Sequence, residues 1–377
     1  MQLSITPGQI RQNNRLLIYH LIYNKKKISQ LEICAELHLS RPTVGGLLAQ
    51  LEESGLIRKE GTIASEMAGR KAAAYTITEN YRIAVGVEIR KEEFKILAVN
   101  LYGDLLDSVI ISLEYHNADF YYKELSDAVR DFLSALKVSH TQVLGIGIAM
   151  EAILSPDGSQ VIYGRLLENT RLSVTAFSKY LRYPCTLMRT VNCAAAAELW
   201  ASPDLENALY LSLSEHLGAA AISGRSILTG KHGHSTSVEH LQMRPGGKRC
   251  YCGRNGCMET LCSLSSLLRQ GENAEDFFRK VRDKDSAALS RWNDYLTDLS
   301  SCINTLHLIY DTDYILGGTL ARYLTSDDVQ VLYQKLALLS PYTETSDYLS
   351  ISSIPLHDPI VGAALPYIWS FLGNTDL

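Results

Sequence analysis

No stretch of this 377-residue chain approaches the roughly 18 uncharged apolar residues that a membrane-crossing helix needs. The first residues, Met1 to Asn14, also lack the apolar core of a secretion signal. Both absences predict a cytoplasmic protein with no membrane partner. Cysteine is too sparse for a disulfide framework: there are eight, three of them crowded between Cys250 and Cys257. Clustered thiols in a reducing compartment point instead to a metal. The 46% hydrophobic share and the near balance of 36 Lys/Arg against 41 Asp/Glu suit a foldable chain of roughly two to three domains, and exclude a disordered tail or a fibre.

Charge is distributed unevenly. Residues 1–80 carry ten Lys/Arg and seven Asp/Glu, and the remainder carries 26 and 34. A slightly basic head on an acidic body is compatible with a small nucleic-acid-binding module joined to a larger domain, so the head must be judged on its pattern.

In that head, Ile10, Leu16, Leu17, Tyr19, Leu21 and Ile22 recur at helical spacing, and the helix is expected to end at Asn24 to Lys27. Ser29-Gln-Leu-Glu32 reads as a capping box opening a second, short helix. Ser40 can cap a third. Pro42 is tolerated in its first turn, and Val44, Leu47, Leu48 and Leu51 form an apolar stripe that stops at Gly55. This order is a helix-turn-helix whose third helix would lie in the major groove of double-stranded DNA. Leu56–Gly61 and Ala74–Thr78 read as the two strands of a wing, with Gly69-Arg70-Lys71 near its tip, a composition suited to a narrow minor groove. Gly45 and Gly46 offer no base-reading side chain, so discrimination is expected from Arg41, Thr43, Gln50, Arg70 and Lys71, with Ser40 at the helix start. The alternative is a small protein-binding helical module with a solvated basic loop.

From Ile83 the pattern becomes strand, strand, strand, helix, strand: Ile83–Glu88, Phe94–Leu101, Leu105–Leu113, Asp119–Leu136 and Val143–Ala149. A similar order returns at Ala208–Leu213, Ala219–Ser223, Ser226–Leu228, helices from Glu259 to His307, and Asp313–Gly318. A repeated meander followed by an αβ unit predicts two α/β domains facing each other across a ligand cleft.

Between them lies Cys250-Tyr-Cys252-Gly-Arg-Asn-Gly-Cys257-Met-Glu259, preceded by His240. Three thiolates and an imidazole suit tetrahedral Zn(2+), and Gly253 and Gly256 permit the tight loop that gathers the sulfurs. With four protein ligands no water position stays open, so the site would be structural. Cys262 is a rival ligand, and three free thiols on a loop are the alternative.

The segment Cys250 to Glu259 resembles the C-x-C-G-x-x-G-C-x-E zinc motif of the ROK family (repressors, open reading frames, sugar kinases), and His240 falls at that family's G-H histidine. Gly145-Ile-Gly147-Ile-Ala149, Asn192 to Glu198, Gly317-Gly318 and Asp358 to Ala364 match in order, and the head is similar to that of the family's xylose- and glucose-type repressors. The resemblance implies an α/β fold: a winged helix at 1–80, then two actin-like, sugar-kinase-like (ribonuclease H-like) domains at 81–195 and 196–377, in a homodimer or tetramer.

It also implies a choice between a regulator and a kinase. The family's phosphate hairpin D-x-G-G-T-K reads Glu88-Ile-Arg-Lys-Glu-Glu93 here, and its G-T-G-x-G reads Ser214-Glu-His-Leu-Gly218. Carboxylates at such positions oppose phosphate. The N-D-A-N aspartate, the general base of active members, aligns with Thr190, which cannot take up a proton near neutral pH. These losses, with the DNA-binding head, predict a non-enzymatic regulator, most simply a repressor, with a ligand-sensing, oligomerising body. A divergent ATP-dependent sugar kinase and a zinc-stabilised protein scaffold are the competing classes. Expected ligand contacts are Asn169, Arg189, Thr190, Glu239, His240 and Glu259, although the E-x-G-H glutamate position is Ser237 and the usual proline-glycine reads Glu151-Ala152. Arg189 is expected to pair with Glu151 or, failing that, to hold an acidic sugar derivative.

Overall fold

The computed structural model describes residues 6–63, 72–342, 347–352, 354 and 359–373. The head opens with α1 (Pro7–Lys25), capped by Thr6, and continues through β1 (Ile28–Ser29), α2 (Gln30–Leu37) and α3 (Arg41–Glu53). The capping box at Ser29 forms as its sequence requires: the Ser29 amide donates to Glu32 at 2.7 Å and the Glu32 amide to the Ser29 hydroxyl at 3.4 Å. The turn into α3 runs through His38, held in the left-handed region at φ 52°. Val44, Leu47, Leu48 and Leu51 face inward, and Gly55, at φ 76°, ends the segment. β2 (Ile57–Ile63) and β3 (Ala72–Ile77) pair antiparallel as the wing, and β1 adds to the free side of β3. Both wing strands reach further towards the tip than their sequence suggests.

The first lobe contains β4 (Ile83–Ile89), β5 (Glu93–Val99), β6 (Leu105–Ser112), α4 (Asp119–Ala135), β7 (Val143–Met150), β8 (Ile153–Leu154), β9 (Val161–Tyr163), α5 (Thr175–Ser178) and β10 (Cys185–Arg189). Its sheet has the order β10-β7-β4-β5-β6: an antiparallel meander extended by two parallel strands. After α6 (Thr190–Ala201) the second lobe repeats the plan with β11 (Ala208–Leu213), β12 (Leu217–Ser223), β13 (Ser226–Ile227), α7 (Glu259–Cys262), α8 (Leu264–Leu267), α9 (Ala274–Arg282), α10 (Ser286–His307), β14 (Asp313–Gly317), α11 (Ser326–Leu339) and β15 (Leu349–Ile351). The order β13-β12-β11-β14-β15 is that of the first sheet. Central strand β4 is buried at every position because helices cover both faces, which explains its unbroken apolar run.

The lobes are not two simple chain segments. A cut at 195/196 falls inside α6, which packs on β11 and β12 of the second sheet. The last helix, α12 (Val361–Leu372), returns to pack on β4, β5 and β7 of the first sheet and crosses α6. The crossing is close: a Cβ on Gly362 would lie 1.7 Å from the Cys193 carbonyl oxygen, and one on Gly147 1.9 Å from that of Ala363. Backbone cannot yield as a flexible side chain would, so Gly362→Ala should destabilise the body by about 1–3 kcal/mol. Urea denaturation measures it, and an unchanged midpoint would contradict the packing. The head rests on this joint. Ile18, Tyr19 and Ile22 join one apolar cluster with Leu101, Ile368 and Leu372, and the Tyr23 hydroxyl donates to the Leu101 carbonyl at 3.0 Å.

Candidate functional site

On the head, Ser40 caps α3, with its hydroxyl accepting from the Thr43 amide at 3.3 Å. Burial of the Val44–Leu51 stripe leaves Arg41, Thr43, Gly46 and Ala49 exposed, with Gln50 half-buried. Gln30 of α2 donates to the Arg41 carbonyl at 3.0 Å and fixes the start of α3 against its neighbour. Arg70 and Lys71, the expected wing contacts, lie outside the described residues.

The cysteine loop gathers the four expected ligands. His240, Cys250, Cys252 and Cys257 offer ligand atoms that all lie within 4.8 Å of one another. Cys250 Sγ is 3.8 Å from His240 Nδ1, and Cys252 Sγ is 3.7 Å from Cys257 Sγ. Tetrahedral zinc with bonds of about 2.3 Å holds neighbouring sulfurs about 3.8 Å apart, so the set fits the ion. Gly256 at φ 73° makes the loop possible, since a Cβ there would lie 1.6 Å from the Arg244 carbonyl oxygen. The rival Cys262 is not in the group; it is buried in the second-lobe core. Glu259, just past the loop, opens α7 and reaches back to the β11–β12 hairpin. One of its oxygens meets His216 Nδ1 at 2.8 Å and the other accepts from the Leu217 amide at 2.7 Å. The loop thereby braces one wall of the cleft between the lobes.

That cleft holds a cavity of about 520 Å³. The β4–β5 hairpin brings Glu88 and Arg90, the turn after β7 brings Glu151, the β10–α6 junction brings Arg189 and Thr190, the β11–β12 hairpin brings Glu215 and His216, and the segment before the cysteine loop brings Glu239 and His240. Some of the charges inside are paired. Arg90 meets Glu88 at 2.7 Å and Glu93 at 3.3 Å. Burial lowers the His216 imidazole, but the carboxylates of Glu259, Glu151 and Glu215 outweigh it and raise the group above its ordinary value. Burial raises Glu239 to about 6 against the opposing pull of Arg189.

The expected partner of Arg189 needs correction. Its guanidinium donates to the Ser235 carbonyl at 3.0 Å and faces Glu239 at 3.9 Å, not Glu151. Glu239 sits on the short turn of 3-10 helix Val238–His240, adjacent to His240 of the candidate metal set, and no local sequence pattern reveals that it closes on β10. Of the other expected contacts, Thr190 and His240 line the cavity, whereas Asn169 and Glu259 do not. Asn169 is fully buried beside Gly164, and its amide donates to the Met150 sulfur at 3.5 Å. Sequence reasoning missed His216, although it stands in the Ser214–Gly218 hairpin segment, because its partner Glu259 lies 43 residues away.

Residues 84–365 match the profile of the ROK family, and residues 11–58 match a winged helix-turn-helix DNA-binding profile. The chain is 26% identical over 273 residues to the DNA-binding transcriptional dual regulator NagC of Escherichia coli (strain K12), covering 70% of this chain and 67% of that protein. It is 22% identical over 335 residues to the xylose repressor of Bacillus subtilis (strain 168), covering 88% and 83%. Among solved structures, a ROK family transcriptional regulator homologous to the E. coli MLC protein superposes with a TM-score of 0.74 at 21% identity, covering 96% of this chain and 98% of that one. A ROK hexokinase from Thermus thermophilus matches with a TM-score of 0.64 at 21% identity, covering 78% and 100%.

Proposed function

Because the chain belongs to the ROK family and carries a winged helix-turn-helix head, we propose that it is a DNA-binding transcription repressor whose kinase-like body senses a carbohydrate, forms the oligomer and carries one structural zinc. The observation that carries this reading is the Ser40-capped α3, which leaves Arg41 and Thr43 exposed and Gln50 half-buried on a head packed against the cleft-bearing body. Two heads related by a two-fold axis would read an inverted repeat.

Selection of bound fragments from genomic DNA, followed by a salt series on the chosen operator, tests it. Arg41→Ala and Arg70→Ala are each expected to weaken binding and, where the lost contact is to phosphate, to lower the salt slope by about one. Unchanged binding in low salt for both variants would refute the model of the interface.

The same reading holds that the body transfers no phosphate. Thr190 stands at the start of α6 on the cavity wall where a base would be needed, Glu88 is tied to Arg90, and exposed Glu215 sits on the second hairpin. Sugar phosphate formed from ATP and any common hexose would contradict it. Loss of that product with Glu151→Ala would identify a replacement base.

A further inference from the structure

One residue of the head has no explanation inside the fold. Gly46 stands midway along α3, exposed and helical, where glycine is about four- to fivefold less favourable than alanine. A left-handed backbone is not the reason, since φ at Gly46 is not positive. Nor is crowding: a Cβ placed there would meet nothing within 4 Å. Its neighbour Gly45 differs. A Cβ there would come within 3.0 Å of the Gln30 side-chain nitrogen, the group that donates to the Arg41 carbonyl and ties α2 to the start of α3. Gly45 therefore serves the packing of the head, and Gly46 serves something outside it.

The helical period sets the face on which Gly46 lies. With Val44, Leu47, Leu48 and Leu51 buried, the opposite side carries Pro42, Gly46 and Ala49 in successive turns, all exposed. None of the three has a hydrogen-bonding side chain. Thr43 flanks them, exposed, with its hydroxyl already sharing a hydrogen bond with that of Ser40 at 2.8 Å. Glu53, next on the same face, is exposed and would be repelled by phosphate, so the surface that can approach DNA closely is the first three turns. The occupant is not read from these small side chains: the match to a DNA-binding winged helix-turn-helix supplies it independently. Hydrogen-bonding base edges in the major groove gain nothing from such a face, whereas the C5 methyl of thymine does. Resting on the DNA-binding reading above, we propose that α3 recognises thymine methyl groups. Gly46 lets the helix backbone come close to the groove floor, and Pro42, Thr43 and Ala49 cover the methyls. Hydrogen-bonded readout is left to Arg41 and Gln50.

Operator fragments selected from genomic DNA test this when their thymines are replaced in turn by deoxyuridine, which removes the methyl and keeps the base pair. At one or more positions the affinity of the full chain is expected to fall about fourfold for each methyl removed, the worth of one buried methyl. Gly46→Ala supplies the second arm. Its melting temperature should equal or exceed that of the parent, its operator binding should be at least tenfold weaker, and its deoxyuridine penalty should shrink towards one. That last change assigns the methyl contact to α3 and not to the wing, which the added Cβ does not touch. Equal binding of deoxyuridine and thymine DNA at every position, Gly46→Ala binding as tightly as the parent, or a penalty that survives Gly46→Ala overturns the methyl proposal and leaves DNA binding standing. A Gly46→Ala chain less stable than the parent also overturns it, by giving the glycine a role inside the fold. No bound fragment overturns both.

Discussion

Cys252→Ser, or exhaustive chelation, is expected to lower the stability of the second lobe by about 3–5 kcal/mol and to release one equivalent of zinc per chain. Where a small module folds only around its metal the contribution is larger, on the order of 10 kcal/mol. Here the loop is anchored on a lobe with its own core, so the expected loss is smaller. The loop is also held by local contacts, among them the Arg254 side chain donating to the His240 carbonyl at 3.0 Å and that of Gln242 to the Asn255 carbonyl at 3.1 Å. Its order rests on Gly253 and Gly256 at positive φ, two isolated bridges, and a few backbone bonds such as Met243 to Gly256 at 2.8 Å. Loss of the ion leaves Cys250, Cys257 and His240 gathered without the cation that offsets their crowding. The effect should pass to the cleft, because Glu259 follows Cys257 by two residues and holds His216 and the Leu217 amide. Metal analysis and urea denaturation measure it. Less than half an equivalent of zinc in unchelated protein, or a Cys252→Ser midpoint equal to that of the parent, would remove the metal from this account.

The features that sequence made legible are those encoded within a few residues. Ser29 and Glu32 box a helix, Ser40 caps the next, and the Val44 to Leu51 stripe has one buried face whichever tertiary partners it finds. The duplicated meander is legible for the same reason, since strand runs and their turns are local, and its two sheets adopt one strand order. What escaped was non-local. The two-residue β1 has no alternation of its own and exists because β3 offers an open side. The swap of α6 and α12 between lobes depends on glycines at Gly147 and Gly362 that allow backbones to touch, and a glycine in a sequence does not name the backbone it approaches. In the cleft, charged residue types were readable but their pairing was not. Arg189 is 50 residues from Glu239 and 38 from Glu151, and only the folded turn Val238–His240 decides between them.

That pairing carries the other large effect. Arg189→Ala is expected to destabilise the protein by about 3 kcal/mol, the lower end of the range for breaking a buried ion pair, because the 3.9 Å separation is long. The cost arises chiefly from the partner left behind: Glu239 would keep a buried carboxylate with neither of its oxygens near a cation. Glu239→Gln should cost less, since Arg189 retains the Ser235 carbonyl at 3.0 Å. The double variant Arg189→Ala/Glu239→Gln should recover most of the loss, giving a coupling energy of about 1–3 kcal/mol in a double-mutant cycle by denaturation of the zinc-loaded protein. If Arg189→Ala alone is as stable as the parent, solvent in the cavity must already satisfy Glu239.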